Sequence, residues 1–362
     1  MKTRVLIVYG TRPEGIKMAP LVKAFNGDKR YDTKVCNTGQ HQEILDQVNI
    51  FFDIVPEYSL NVMSQGQSLN SLVHKIIMKM EEILNEFLPD IVFVHGDTTT
   101  AMASAIAAFN FGVKVAHVEA GLRTNDINTP FPEEANRQLI SRLASFNFAP
   151  TQESLNNLIN ENIDRSKIFI TGNTVIDALF FAKEKVPKSN KKNIILITAH
   201  RRENFGSGIQ NIIKAVNHLS CKYKDYTFVW PVHPNPNVKK PVHERLGMLE
   251  NVELVEPLDY PSFIDIMSST KLILSDSGGI QEEAPSLGIP VLVLRESSER
   301  PEAVNAGTVI LVGTNFDKIV STANKLISDD DFYKTFKQLK NPYGDGTAAK
   351  KIKQIVDEHI WP

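Results

Sequence analysis

A chain of 362 residues is long enough for two domains with separate cores, and 42% hydrophobic with 23% charged residues is an ordinary composition for a soluble globular protein. Forty Lys and Arg against 42 Asp and Glu leave a formal charge of −2, which excludes a general affinity for nucleic acid or anionic membrane and confines any anion site to a local cluster. The two cysteines, Cys36 and Cys221, offer neither a disulfide framework nor metal-ligand spacing, and Cys36 reads as a core thiol.

Met1-Lys-Thr-Arg4 leads straight into a strand with no signal-peptide pattern, and the longest uncharged run, Thr98 to Val113, is too short to span a bilayer. A soluble, cytoplasmic protein is expected. Strands are predicted at Arg4–Tyr9, Thr33–Asn37, Ile91–His95, Val113–Val118 and Phe146–Ala149. Helices are predicted between them at Ile16–Phe25, Glu43–Phe51, Ser68–Phe87, Thr99–Phe111 and Glu133–Ser145. This alternation is that of a parallel sheet covered on both faces. After Thr171-Gly-Asn173 it restarts, with strands at Ile194–Thr198, Thr227–Trp230, Val252–Val255, Leu272–Ser275, Val291–Leu294 and Val309–Val312. A last helix, Thr347–His359, follows the turn Asn341-Pro-Tyr-Gly-Asp-Gly346. The predicted fold is α/β, with two Rossmann-like doubly wound domains (1–172 and 173–346) facing a central cleft, and a C-terminal helix (347–362) free to pack back on the N-terminal domain. Such sheets place their sites at the carboxyl ends of the strands.

The first strand ends in Gly10-Thr-Arg-Pro-Glu-Gly-Ile-Lys17. A P-loop needs Gly-Lys-Ser/Thr contiguous; here Ile16 intervenes and Pro13 removes a backbone donor, so Arg12 and Lys17 remain as cations at the start of a helix. Val94-His-Gly-Asp97 and Val115-Ala-His-Val-Glu119 each put a carboxylate just past a buried strand, and Pro130-Phe-Pro-Glu-Glu134 adds a further pair. Three acids in one cleft can divide acid and base roles if their surroundings separate their pKa values. The His-x-Asp and His-x-Glu pairs are alternatively metal ligands, and Asp97 alternatively a helix cap.

In the second half, Thr198-Ala-His-Arg-Arg-Glu-Asn204 places His200 at a strand end, as a phosphate contact, a proton donor to a leaving group or a loop histidine. Ser277-Gly278-Gly279, between a strand and a helix predicted at Ile280–Ser286, is a small-residue turn whose backbone N–H groups suit an anion, or else an ordinary cap. Glu282 and Glu283 are expected in the first helical turn, placed to favour the dipole or grip sugar hydroxyls. Arg300 is a further cation close in sequence.

Seven segments together resemble one family: Gly10-Thr-Arg-Pro-Glu14, Val94-His-Gly-Asp-Thr-Thr-Thr100, His117-Val-Glu-Ala-Gly-Leu-Arg123, Pro132-Glu-Glu-Ala-Asn-Arg137, His200-Arg-Arg-Glu-Asn204, Asp276-Ser-Gly-Gly-Ile-Gln-Glu-Glu-Ala-Pro285 and Asn341-Pro-Tyr-Gly-Asp-Gly346. In order and spacing, from residue 4 to about 346, they resemble the non-hydrolysing UDP-N-acetylglucosamine 2-epimerases. The resemblance implies the GT-B fold, interconversion of UDP-GlcNAc and UDP-ManNAc without NAD or metal, UDP as the retained leaving group, and a homodimer. It implies Asp97, Glu119 and Glu133 as the acidic catalytic group, with His200 and Lys17 assisting. Arg12, Lys17, His200, Ser277, Gly278, Gly279 and Arg300 would surround the diphosphate, Glu283 the ribose, and Leu258 and Phe263 the uracil. A GT-B glycosyltransferase with a UDP-sugar donor is the alternative, and a catalytically silent UDP-sugar sensor a third, disfavoured by the presence of all three acids.

Many bacterial members are activated by UDP-GlcNAc at a second site. By motif that site involves Gln40, Glu43, Gly66, Gln67, Arg201 and His233. Regulated relatives often carry Gln at the position of Glu43 and Arg at that of Gly66. An added carboxylate and a lost guanidinium both disfavour a bound diphosphate, so weakened activation is expected.

Overall fold

The computed structural model describes residues 2–39, 42–64, 66–187, 193–298 and 300–360, the side chains of 42–44 excepted. Two compact units divide the chain. Unit 1 holds residues 1–178 and 343–362, and unit 2 holds residues 179–342.

Unit 1 is a parallel sheet of β1 (Thr3–Tyr9), β2 (Tyr31–Asn37), β3 (Tyr58–Ser59), β4 (Ile91–His95), β5 (Lys114–Val118), β6 (Phe146–Ala149) and β7 (Ile168–Ile170), in the order β3-β2-β1-β4-β5-β6-β7. The central strands β1 and β4 read as continuous apolar runs because helices cover both faces: Val5 to Tyr9 and Ile91 to Val94 are fully buried. Strand order reverses between β1 and β4, so their carboxyl ends flank a crevice of the kind in which doubly wound sheets bind ligands. The C-terminal helix Ala348–Ile360 belongs to this unit. Its Lys353 lies 2.8 Å from Asp28, and its Asp357 accepts hydrogen bonds from Arg30 (2.9 Å) and Tyr31.

Unit 2 repeats the plan with β8 (Ile194–Thr198), β9 (Thr227–Pro231), β10 (Val252–Val255), β11 (Thr270–Ser275), β12 (Val291–Val293) and β13 (Val309–Leu311), all parallel and ordered β10-β9-β8-β11-β12-β13. Its core packs around Trp230 and Phe228, both fully buried. The reversal point lies between β8 and β11. Among the described residues no helix is long and apolar enough to cross a membrane.

Candidate active site

In unit 1 the site is built at the ends of β1, β4 and β5. Gly10 closes β1 where a side chain has no room: a Cβ would lie 2.1 Å from Thr38 Oγ1 and 2.6 Å from Thr100 Oγ1. The helix Arg12–Asn26 follows, and its Glu14 turns inward rather than toward solvent. Glu14 Oε2 accepts the N–H groups of Gly10 (3.0 Å) and Thr11 (2.8 Å), and Oε1 accepts the Thr98 hydroxyl (2.6 Å). Burial raises its pKa and these donors oppose the rise. Glu14 is thus a strut between the loops after β1 and β4. Arg12 and Lys17 stand half-buried on the same helix.

Past β4, Gly96 takes φ 64° and the chain turns to Asp97. His117 of β5 fixes that turn, its Nε2–H donating to the Gly96 carbonyl at 2.7 Å. Burial pushes His117 down to about 3 and His95 down to about 4, so both imidazoles are neutral near pH 7. The helix after Asp97 is capped by the Thr98 hydroxyl, which accepts from Ala101 N; the alternative in which Asp97 is the cap is therefore excluded. Asp97 instead meets Arg137, 2.9 Å away, and its backbone carbonyl accepts from Asn136 (2.8 Å). The surroundings of Asp97 raise its pKa: desolvation most, with Glu119 and Glu133 adding to it and Arg137 and Lys17 opposing it.

Glu119 follows β5 with φ 63°, a left-handed backbone that a non-glycine residue holds only when its neighbours impose it. Its Oε2 accepts hydrogen bonds from Lys17 Nζ and from Asn173 Nδ2 (2.6 Å), and lies 3.7 Å from His95 Nε2. Glu133 opens the helix Glu133–Leu143, and its Oε2 is buried with no hydrogen-bond partner among the described residues. Its neighbour Glu134 is spoken for: fully buried, it accepts from Thr124 N (3.0 Å) and Gln138 Nε2 (2.9 Å). Lys17, Asp97, Glu119 and Glu133 are therefore neighbours in one electrostatic group. Its three acids differ in setting: one paired with arginine, one held by lysine and asparagine, one with an unpartnered oxygen.

In unit 2 the organiser is Asp276, fully buried after β11. Its Oδ2 accepts the N–H groups of His200 and Arg201 (both 2.8 Å) and Asn204 Nδ2 (3.0 Å), pinning the loop after β8. The His200 ring stacks on His233 with centroids 5.4 Å apart. Desolvation lowers the His200 pKa, Asp276 pulls it up, and His233 and Arg201 push it down. Ser277 N donates to Ser275 Oγ (3.0 Å), and the Ser277 side chain does not cap the helix that follows.

That helix is Gly278–Glu283, continued by a 3₁₀ turn Ala284–Leu287, two residues earlier than the sequence pattern suggests. Glu282 and Glu283 consequently sit in its last turn, not its first, which removes any role at the positive end of its dipole. Glu282 pairs with Arg300 (2.5 Å), and Tyr260 OH donates to Glu283 at 3.4 Å. Leu258 and Phe263, both half-buried, flank Tyr260. His200, Ser277, Gly278, Gly279, Glu283 and Arg300 thus gather where β8 and β11 end.

Of the remaining residues, Arg201 and His233 lie beside His200 in unit 2, whereas Gly66 and Gln67 belong to unit 1. Gln67 Oε1 accepts from Lys75 Nζ (3.0 Å) and Ser64 Oγ (2.9 Å). Gln40 and the Glu43 side chain lie outside the described residues. Among the described residues no group of three His, Cys, Asp or Glu is placed to hold a metal ion. Sequence reasoning gave no role to Glu14, Arg137, Asn173 or Asp276. Three of them fall inside the quoted motifs, but spacing does not say which polar group of a motif turns inward.

Two sheets of this order, one carrying acids and a lysine at its switch point and the other a Ser-Gly-Gly turn, define an α/β enzyme of the GT-B-like nucleotide-sugar class. A sequence model described as UDP-N-acetylglucosamine 2-epimerase matches residues 23–357. The Escherichia coli K12 UDP-N-acetylglucosamine 2-epimerase is 50% identical over 368 residues, covering 98% of each chain. The Salmonella typhimurium UDP-N-acetylglucosamine 2-epimerase is 49% identical over 371 residues, covering 98% of this chain and 99% of the relative. The crystal structure of UDP-GlcNAc 2-epimerase from Neisseria meningitidis bound to UDP-GlcNAc superposes with a TM-score of 0.89 at 48% identity, covering 98% of this chain and 100% of that one. The chain belongs to the UDP-N-acetylglucosamine 2-epimerase family, and is an isomerase.

Proposed function

We propose that the protein inverts C2 of UDP-GlcNAc to give UDP-ManNAc, and the reverse, by eliminating UDP to 2-acetamidoglucal and adding it back. The C2 proton of a sugar held as a UDP glycoside has no adjacent carbonyl to acidify it. Breaking the C1–O bond first, with the electron pair leaving on UDP, makes an oxocarbenium-like centre at C1 that does. A carboxylate then takes the C2 proton, and the C–H pair becomes the C1=C2 bond. In the return step UDP oxygen attacks C1 while an acid delivers a proton to the opposite face of C2. Such a route needs a base, an acid and electrostatic stabilisation of the departing diphosphate.

The observation that carries this reading is the group Asp97, Glu119 and Glu133 with Lys17, three acids in three different electrostatic settings around one cation. Unit 1 supplies these acids together with Arg12 and Lys17, and unit 2 supplies the remaining UDP contacts. Arg12, Lys17, His200, Ser277, Gly278, Gly279 and Arg300 serve the diphosphate, Glu283 the ribose, and Leu258 and Phe263 the uracil. His200 and Lys17 assist departure of UDP. The reaction as written uses neither NAD nor a metal. The protein acts in the cytoplasm as a homodimer, supplying a precursor of cell-surface polysaccharide. Gln40, Glu43, Gly66, Gln67, Arg201 and His233 form the remnant of a second UDP-GlcNAc site.

The test is NMR of UDP-GlcNAc with the protein in D2O. Deuterium should enter C2 of both epimers, and retention of the original hydrogen would exclude elimination. No turnover until an acceptor is added would instead favour a glycosyltransferase. Asp97→Asn, Glu119→Gln and Glu133→Gln should each lower kcat about 10²–10⁴-fold with UDP affinity kept.

A further inference from the structure

Asn173 is buried at the start of the helix Thr174–Lys185, and each of its polar groups has work to do. Its Oδ1 accepts from Val175 N (3.0 Å), which begins that helix, and its N–H donates to the Tyr343 carbonyl (2.7 Å). Its Nδ2 donates to Glu119 Oε2 at 2.6 Å. The chain leaves unit 1 after Ala178 and returns at Tyr343, so Asn173 ties the two ends of that excursion together and fastens Glu119 to them. Glu119 cannot rely on its own backbone for this, because its φ of 63° is one that only surrounding contacts maintain.

We propose that Asn173 is a positioning residue, which holds the Glu119 carboxylate in its reacting orientation through the side-chain amide. The inference rests on the reading of Glu119 as one of the reacting acids. Among the described residues, the charged and titratable groups facing Glu119 include Lys17 from the helix after β1, His95 and Asp97 from the end of β4, and His117 from β5. Lys17 also donates to Oε2, and removing the Asn173 amide takes away the donor that links this carboxylate to the segment 173–175. A displacement of about 1 Å in a reacting group can cost about 10²-fold in rate.

The discriminating variant is Asn173→Ser. A serine hydroxyl still accepts from Val175 N, and the backbone bond to Tyr343 is untouched, but its side chain is too short to reach Glu119. Asn173→Asp is the companion: it keeps the cap and sets a carboxylate against a carboxylate. Melting temperature, UDP affinity and the pH dependence of kcat are measured for both, with Glu119→Gln alongside. The expected result is a fall in kcat of about 10²-fold for Asn173→Ser at unchanged melting temperature and UDP affinity. The pH limb set by Glu119 should move to higher pH, because a donor to the charged form has been removed. Asn173→Asp should be at least as impaired. A wild-type rate and profile in Asn173→Ser beside an inactive Glu119→Gln would overturn the positioning role alone. Loss of rate that tracks loss of melting temperature, with no movement of the limb, would overturn it in favour of a structural role. A wild-type Glu119→Gln would overturn the reading beneath it.

Discussion

Arg137 faces Asp97 with 2.9 Å between Nη2 and Oδ2, at the mouth of the acidic group. Burial raises the Asp97 pKa, and Arg137 opposes that rise by favouring the charged carboxylate. Arg137 in turn leans on Glu134, 3.6 Å away and fully buried. Replacing Arg137 with Gln should raise the Asp97 pKa further. The limb of the kcat profile that Asp97 sets should then move to higher pH, because the cation that opposes desolvation has been removed. A uniformly lowered profile with both limbs in place would show that Arg137 only packs.

The neutral histidines behind the site predict how stability depends on pH. His117 falls from the ordinary 6.5 to about 3 on folding, so between those values the unfolded chain binds the proton and the folded one does not. Its contribution is present in full above 6.5 and is lost as pH falls toward 3. His117→Gln keeps a donor for the Gly96 carbonyl but cannot titrate. Urea unfolding of both proteins at about pH 7.5 and about pH 5 isolates the effect, since Glu14 and Asp97 are common to both. The stability difference between them should shift by roughly 2 kcal/mol, with wild type losing more on acidification. An equal loss in both would place a proton on His117 in the folded state.

Asp276 predicts a separation between shape and chemistry in unit 2. Asp276→Ala leaves the N–H groups of His200 and Arg201 and the Asn204 amide without their acceptor, at a typical cost of about 1–3 kcal/mol for each buried group left unpaired. The His200 loop should lose its fixed position, and UDP affinity by calorimetry should fall more than about 10-fold. Asp276→Asn, whose side-chain carbonyl still accepts, should lose less. UDP binding at wild-type strength in the alanine variant would mean that this loop does not serve the nucleotide.

Most of the sheet is legible in the sequence because a parallel strand buried on both faces must be apolar throughout, as Val5–Tyr9 and Ile91–Val94 are. The edge strands Tyr58–Ser59 and Ile168–Ile170 are not, since two or three residues carry no period. The helix Gly278–Glu283 begins two residues ahead of expectation because a Gly-Gly pair reads as turn although its backbone is helical here. Carboxylates at strand ends stand out from sequence position alone. Which of two adjacent acids turns inward does not: Glu134 accepts two hydrogen bonds in the interior while the buried Glu133 Oε2 has no partner among the described residues. Asn173 looks like a loop residue from its neighbours and acquires its role only from what the fold brings to it, Glu119 from 54 positions away.

The loop before the helix Leu69–Phe87 bears on regulation. Gly66 is exposed with φ 71°, and among the described residues beyond its chain neighbours no heavy atom lies within 4 Å of where a Cβ would be. The position has room for a side chain, but its backbone favours glycine, so an arginine there would carry strain. Lys75 already reaches this loop, donating to Ser64 Oγ (2.6 Å) and Gln67 Oε1 (3.0 Å). A lysine is a point charge and does not reproduce the two parallel hydrogen bonds that a guanidinium gives a diphosphate. Losing one charge-assisted contact of that kind costs about 1.5–3 kcal/mol, or more than tenfold in affinity. Activation by a second UDP-GlcNAc should accordingly be weak or absent. The measurement is initial velocity with UDP-ManNAc as sole substrate, with and without a trace of UDP-GlcNAc. Prompt turnover with a hyperbolic dependence on substrate is expected; a lag that the trace abolishes would show the second site to be working, with Lys75 or Arg201 making good the missing cation.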